Sequence, residues 1–587
     1  MVGTVNPSHY RTLQIGVIEI DSVLLCGLGF LRGLNWPGVW AMAYYDLGTY
    51  SRKIATESED AQLWFDRGLV WTYAYNHEKA IACFEKALEA DAECAMAHWG
   101  IAYAIGPNYN KPWAAFEEDE KPDALAQARQ ALARADGLKD RVSPFEKALI
   151  EAIAHRYPEN ASIEDFAPWN DAYADAMRAV HKVHSDDLDI SCLFAEAIMN
   201  RTPWQLWDLP SGKPAEGADT LEAIAVLEKA FDTLDGAWEH PGLLHMYIHL
   251  MEMSPHPERA LRHGDTLSTL VPDAGHLLHM PTHIDVLCGD YQNVVSRNQT
   301  AIVADRKFLN QEGADNFYSV YRCHNYHFKI YGAMLLGQPT PALEAADELI
   351  TTIPEDFLRA MADWFEGFIP MKQHVLIRFG LWNDILAQHM PEDSELYSVT
   401  SAMMRYARTV ALANTKKLAE AEAERDWFFE ARDNVPKSRM LFNNTCRDIL
   451  TVAEQMLLGE LEYHKGNYEK AFEHLKKSVE LDDNLPYDEP WGWMQPTRHA
   501  LGALLIEQGH YENAEAVYRA DLGLDATLSR ACQHPGNVWS LHGLHECLIR
   551  RGETVEASHV KVQLDKAVAR AEVPIKASCY CRQKVAA

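Results

Sequence analysis

Residues 61–92 read AQLWFDRGLVWTYAYNHEKAIACFEKALEADA, and their spacing of large and small side chains calls for two antiparallel helices in close contact. With Ala61 as position 1, Trp64 falls at 4, Gly68 at 8, Trp71 at 11, Ala80 at 20, Phe84 at 24 and Ala87 at 27. Small residues at 8 and 20 let two helix axes approach, and large ones at 4, 11 and 24 fill the space between one helix pair and the next. The same ruler fits the C-terminal part. From Gln495, Gly502 stands at 8, Gly509 at the turn position 15, Ala514 at 20 and Tyr518 at 24. From Gly536, Trp539 stands at 4 and Gly543 at 8, and a weaker unit begins near Val452 with Gly459 at 8, Gly466 at 15 and Ala471 at 20. No stretch alternates as a run of strands would, so the pattern predicts helix pairs throughout.

These units resemble the tetratricopeptide repeat, and the resemblance covers about residues 50–570. It implies an all-α fold, a right-handed α-solenoid of antiparallel helix pairs whose first helices line a concave face. The expected organisation is an atypical N-terminal segment at 1–43 and repeat-like helices over 44–235. His-rich repeats follow over 236–350, further repeats over 351–570, and a tail with a Cys-x-Cys pair over 571–587.

The chemistry gathers in the middle of the chain, at HPGLLHMYIHLME (240–252), HLLHMPTHI (276–284) and CHNYHF (323–328). Turn and packing residues place the unit starts independently of the histidines, at Pro241, Gly275 and Cys323. In the resembled family, positions 2, 5, 9 and 12 of the first helix point into the groove. Here they are Gly242, His245, His249 and Glu252; then His276, His279, His283 and Val286; then His324, His327, Tyr331 and Met334. With 26 His in 587 residues, twelve slots would hold about half a histidine by chance; seven are histidine. His245 and His249 are one helical turn apart, with Glu252 three residues further, and His279 and His283 repeat that spacing. Neutral imidazoles arranged in this way suit a transition metal, Cu, Fe or Zn. The metal-ligand candidates are therefore His245, His249, His276, His279, His283, His324 and His327. Glu252 is a candidate ligand or general base. Met246 stands where a zinc-protease HExxH motif needs Glu, which argues against a metalloprotease. Pro281, between two of the histidines, should break the helical hydrogen bonding there.

Other candidates lie around this cluster. Trp204, Trp207, Tyr331 and Trp491 are candidate substrate-contacting aromatics. His499, at groove position 5 of its unit, is a second candidate catalytic residue, and His374 is a weaker one. Asn108, Tyr109 and Asn110 suit a capping turn better than a ligand contact. Cys579 and Cys581 form one soft-metal pair. The strings WFDRGLVWTYAYNHEKA, HPGLLHMYIHLME, GHLLHMPTHI and YRCHNYHF are similar to those of a microbial group of tetratricopeptide-repeat proteins, a similarity that runs from about Tyr44 to Cys581 and treats the histidines and the terminal pair as one unit.

Composition narrows the function. Lys plus Arg is 54 against 85 Asp plus Glu, a net charge of −31, which repels phosphate backbones and argues against nucleic acid. Eleven scattered cysteines are not a disulfide framework and fit a reducing compartment. The longest apolar run, Ser22–Leu31, is too short to span a bilayer. The expectation is a soluble cytoplasmic protein with no membrane partner, a metal-dependent oxidative or hydrolytic enzyme acting on a small organic molecule. The alternative is a scaffold that binds extended peptides. Metal storage or sensing would use the same ligands without a substrate pocket.

Overall fold

The computed structural model describes residues 44–118, 120–157 and 165–582. The N-terminal segment 1–43 and the last residues of the tail, 583–587, lie outside the described residues. The described residues from Asp46 onward form one compact unit.

That unit is a succession of helix pairs. Ser58 caps the helix Glu59–Tyr73 by accepting from the amide of Ala61, and Asn76 caps His77–Ala90 by accepting from Lys79. Phe84 sits between Gly68 of its own pair and Gly100 of the next helix, Ala95–Ile105; a Cβ at Gly68 would lie 2.5 Å from the Phe84 ring, and one at Gly100 would lie 2.7 Å away. The ruler's positions 8 and 24 are therefore a knob and its hole. Tyr518 repeats the device between Gly502 and Gly543, joining the pair Thr497–Glu507/Tyr511–Asp521 to the pair Val538–Arg551/Thr554–Val568. The fold is all-α, as the periodicity predicts. The strands described are two hairpins of two residues per strand, Trp207–Asp208 with Lys213–Pro214 and Met440–Leu441 with Asn444–Thr445.

Both ends of the array return to its middle. The helix Glu59–Tyr73 packs against Pro241–Glu252, and Val538–Arg551 packs against Ser319–Leu336. The Trp539 indole donates to the Met334 carbonyl at 2.7 Å, and Gln338 Nε2 donates to the Arg570 carbonyl at 2.8 Å. The central helices are thus covered on several sides, and their first-helix positions are interior ones. Cys579 is joined to Cys581 by a disulfide.

Candidate metal centre

Three first helices carry the histidines. Pro241 opens Pro241–Glu252, with the His240 ring accepting from the amide of Leu243 as its cap. Pro281 divides the second helix into Gly275–His279 and Pro281–Cys288, the break expected of a proline at that place. The third, Ser319–Leu336, ends at Gly337 in the left-handed conformation (φ +77°) that a residue without Cβ adopts freely.

Six imidazoles form two triads. Ligand nitrogens of His245, His249 and His276 lie within 4.8 Å of one another, and so do those of His279, His283 and His324. All six are buried, His324 being the most accessible at 7%. The triads adjoin: the rings of His276 and His279 are 6.1 Å apart, and those of His249 and His283 are 6.0 Å apart. Glu252 ties them together. Its Oε1 lies 3.0 Å from Nδ1 of His249 and its Oε2 lies 2.8 Å from Nδ1 of His283.

The hydrogen-bond partners fix which ring nitrogens are bare. His245 Nδ1 lies 2.7 Å from the carbonyl of Tyr73, which only accepts, so that nitrogen carries the proton and Nε2 keeps its lone pair. His249 Nδ1 lies against Glu252, which when ionised accepts from it and leaves Nε2 bare in the same way. The Nε2 atoms of both, and both ring nitrogens of His276, are buried without a protein hydrogen-bond partner. His279 Nδ1 faces Oδ1 of Asn298 at 2.7 Å; Asn298 is oriented by donating from Nδ2 to the Val294 carbonyl at 2.8 Å, so its Oδ1 accepts. The outward nitrogens of His279 and His283 both face acceptors, yet their Nε2 atoms are 2.8 Å apart, and His324 Nε2 is 3.4 Å from that of His283. Lone pairs brought this close repel one another unless a cation lies among them. Imidazoles whose second nitrogen is held by a carbonyl, a carboxylate or an amide are the usual surroundings of a metal-binding histidine.

Electrostatics agree with neutral rings. Burial, reinforced by neighbouring imidazoles, holds His245, His249, His276, His279 and His324 well below the usual histidine range. Burial, opposed by the hydrogen bond to His283 and aided by Glu489, raises Glu252 to about 8. Burial also raises Glu489 well above the ordinary carboxylate range. A cation among these groups would compensate both carboxylates.

Loops close over the cluster. Tyr109 from the turn after Ala95–Ile105 lies 4.9 Å from the His249 ring, and Trp204 lies 5.7 Å from it on another side. Tyr487, from the loop between Tyr468–Asp483 and Thr497–Glu507, reaches Trp204 at 6.4 Å. Tyr75 covers His245 at 4.6 Å and stacks on His276 at 5.8 Å. Trp204 and Tyr75 both have left-handed backbone conformations, φ +59° and +54°, that non-glycine residues adopt at a cost. The sequence reading missed Tyr75, Asn298 and above all Glu489, whose Oε2 lies against His283 Nδ1 and which joins Glu252 and His283 in a further group able to hold a cation. The clue was an acidic pair, Asp488–Glu489, inside an aromatic and proline-rich loop.

Other candidates lie elsewhere. His327 turns away from the triads, with Nε2 2.8 Å from Met494 Sδ. His499 stands in a separate buried network, between Arg378 Nη1 at 2.9 Å and Asp521 Oδ2 at 3.1 Å. Tyr331 bonds His534 of that network at 2.7 Å. Position 9 of its helix lies a full turn beyond His327, which is why a groove slot there does not meet the histidines. Trp207 anchors the back of the first site helix by donating to the Leu250 carbonyl at 2.7 Å, and Trp491 stands behind Tyr487, donating to the Asp482 carbonyl at 2.9 Å. His374 packs edge-on against Trp493, their rings 5.0 Å apart. Asn108 is a turn residue, its Oδ1 accepting from the amides of Asn110 and Lys111.

Comparison with known proteins supports the repeat residues. The tetratricopeptide-repeat model matches residues 61–94 and 455–485. No curated protein matches the sequence. Among solved structures, the Cut9–Hcn1 hetero-tetramer of APC/C is similar at 13% identity and a TM-score of 0.29, over 84% of this chain and 78% of that one. The human IFIT1 dimer with m7Gppp-AAAA is similar at 10% identity and a TM-score of 0.31, over 88% and 92%. Yeast Tom70 follows at 11% identity and a TM-score of 0.28, over 86% and 90%. These likenesses are loose, and the assignment rests on the repeat's own packing residues. No helix among the described residues is long and apolar enough to cross a membrane. Matched in its first repeat and again near its C-terminal end, the chain carries tetratricopeptide repeats within an all-α array of helix pairs.

Proposed function

We propose that the two histidine triads are a metal centre, one transition ion to each, and that the protein is a metal-dependent enzyme acting on a small organic molecule. The observation that carries this is where the ring nitrogens face: Nδ1 of four of the imidazoles meets a carbonyl, carboxyl or amide oxygen, while their Nε2 atoms face one another or no protein partner in a buried space. The donor set of six imidazoles with carboxylates behind them suits Cu, Fe or Zn. A bound ion there would supply Lewis acidity or, for Cu and Fe, electron transfer with oxygen. The chain's own part is to orient the imidazoles through Glu252, Asn298 and the Tyr73 carbonyl, and to exclude water with Tyr75, Tyr109 and Trp204. A cavity of about 280 Å³ has Tyr75 and Tyr318 in its wall, and Tyr318 also accepts the amide of His276 at 2.9 Å. It has room for a small molecule, and Tyr75 is the residue it shares with the cover of the triad imidazoles, none of which lines it.

A peptide scaffold would present these positions to an extended ligand, and their burial speaks against that use of them. A storage or sensing role would bind metal without turnover.

The test is elemental analysis of protein purified without an affinity tag, alongside the His245→Ala/His249→Ala variant. We expect about two equivalents of a transition metal, falling by about half in the variant as one triad loses two of three ligands. Wild-type protein that holds no metal and takes up none from Cu, Fe or Zn salts would end the proposal. Metal without oxidase or hydrolase turnover would leave storage as the function and remove the enzyme.

A further inference from the structure

The C-terminal tail is pinned in place. Ser578 Oγ donates to the His499 carbonyl at 2.8 Å, and Tyr518 Oη lies 2.5 Å from the same hydroxyl. Arg378 donates to the Ser578 carbonyl, and Arg582 forms a two-pronged pair with Glu546 at 2.6 and 2.9 Å. Further back, the amide of Glu572 donates to the Gly337 carbonyl at 3.1 Å. Anchors on both sides of Cys579 and Cys581 therefore set the two sulfurs, and they are set against Glu460 of the helix Cys446–Lys465.

Glu460 is a buried carboxylate, 2% exposed, that accepts from Asn414 Nδ2 at 3.1 Å and makes no salt bridge among the described residues. A carboxylate facing two sulfurs is unfavourable when those sulfurs are thiolates, because all three charges have one sign. A cation bound among them would relieve that repulsion. One ligand atom from each of Glu460, Cys579 and Cys581 lies within 4.8 Å of the others. The amide of Cys581 donates to Cys579 Sγ at 3.1 Å, an orienting hydrogen bond of the kind that supports a metal-bound thiolate. Cys581 is fully buried, and Cys579 borders a small cavity of about 20 Å³ shared with Arg378, Glu460 and His499.

We propose that Glu460, Cys579 and Cys581 form a second metal site, separate from the histidine triads, for a thiophilic divalent ion of the Zn(II) class in the reduced protein. Two thiolates and one carboxylate fill three positions of a tetrahedron. Entry requires the disulfide to open. A thiol or phosphine reductant gives two electrons; with a phosphine and water, the products are the phosphine oxide and two cysteine thiols. Binding then releases two protons to solvent as two metal–sulfur bonds form. The site makes no use of the imidazoles and stands or falls apart from the reading of the histidine centre.

The experiment uses the full chain, reduced anaerobically with a phosphine and titrated with Co(II). Thiolate-to-cobalt charge transfer appears in the near ultraviolet and cannot arise from imidazole or carboxylate ligands. We expect one equivalent of Co(II) to bring up that band and Zn(II) to abolish it by displacement. Cys579→Ser and Cys581→Ser should lose most of its intensity. Glu460→Gln, which keeps both sulfurs and the shape of the side chain, should retain the band and bind about 10-fold more weakly or worse. No band in the wild-type protein, a band unchanged in both serine variants, or undiminished affinity in Glu460→Gln would each overturn the proposal.

Discussion

His324 shows most simply what a single residue contributes to the centre. Its Nδ1 has no hydrogen-bond partner, its Nε2 points at another imidazole, and burial keeps it neutral. In a metal-free chain it therefore brings the cost of desolvating two ring nitrogens against one long contact, 3.4 Å, with the His283 ring. Leucine has a similar volume and leaves no neighbour without a partner. His324→Leu should make the metal-free protein as stable as the wild type or more stable, and the metal-loaded protein less stable. Thermal melts with and without a chelator check both signs. A variant that loses stability equally in the two conditions would make His324 a packing residue only. That the groove slots were histidine was legible in the sequence. That Glu252 would accept from two of them, or that Glu489 would arrive from a loop more than two hundred residues away, was not, because both depend on how distant segments close.

At the scale of the helix pair, the repeat works through one large ring between two glycines. The cost of disturbing it should depend on whether a glycine faces that ring or solvent. Gly68→Ala would drive a methyl into Phe84, an overpacking that costs about 1–3 kcal/mol. Gly137, exposed near the end of Glu120–Leu138, has nothing within 4 Å of an added Cβ. Gly137→Ala should be neutral or gain up to about 1 kcal/mol from helix propensity. The denaturant midpoint of Gly68→Ala should fall, while that of Gly137→Ala should hold or rise. This level of structure was the most legible. Spacing alone set Gly68, Ala80 and Phe84 in their roles, because knob and hole lie within one local unit. It also put the starts of two site helices at Pro241 and Gly275, while the third begins four residues before Cys323, at Ser319. Reach between units was harder to read. Tyr331, His327 and His499 occupy groove slots by the ruler, yet Met494 from a distant loop meets His327, and His534 and Asp521 meet Tyr331 and His499.

At the scale of the whole molecule, the array folds back on its own centre, so that loops from near residues 109, 204 and 487 meet over the histidines. The first helix pair and the last both rest on the central helices, which links the two ends through the middle. An open repeat array can lose units one at a time; this arrangement couples them. The cover of Tyr75, Tyr109, Trp204 and Tyr487 then has a bearing on time rather than on affinity. An ion enclosed in this way leaves only when a loop lifts, an event that belongs to the chain and that no competing ligand can hasten. The loss of metal to a strong chelator should therefore reach a rate that stops rising with chelator concentration, and Trp204→Gly should raise that ceiling. A rate that stays proportional to chelator throughout would mean that solvent already reaches the ions. With a saturating rate, the protein would carry its metal from the moment of folding as something close to a permanent constituent, exchanged on the schedule of its own fluctuations.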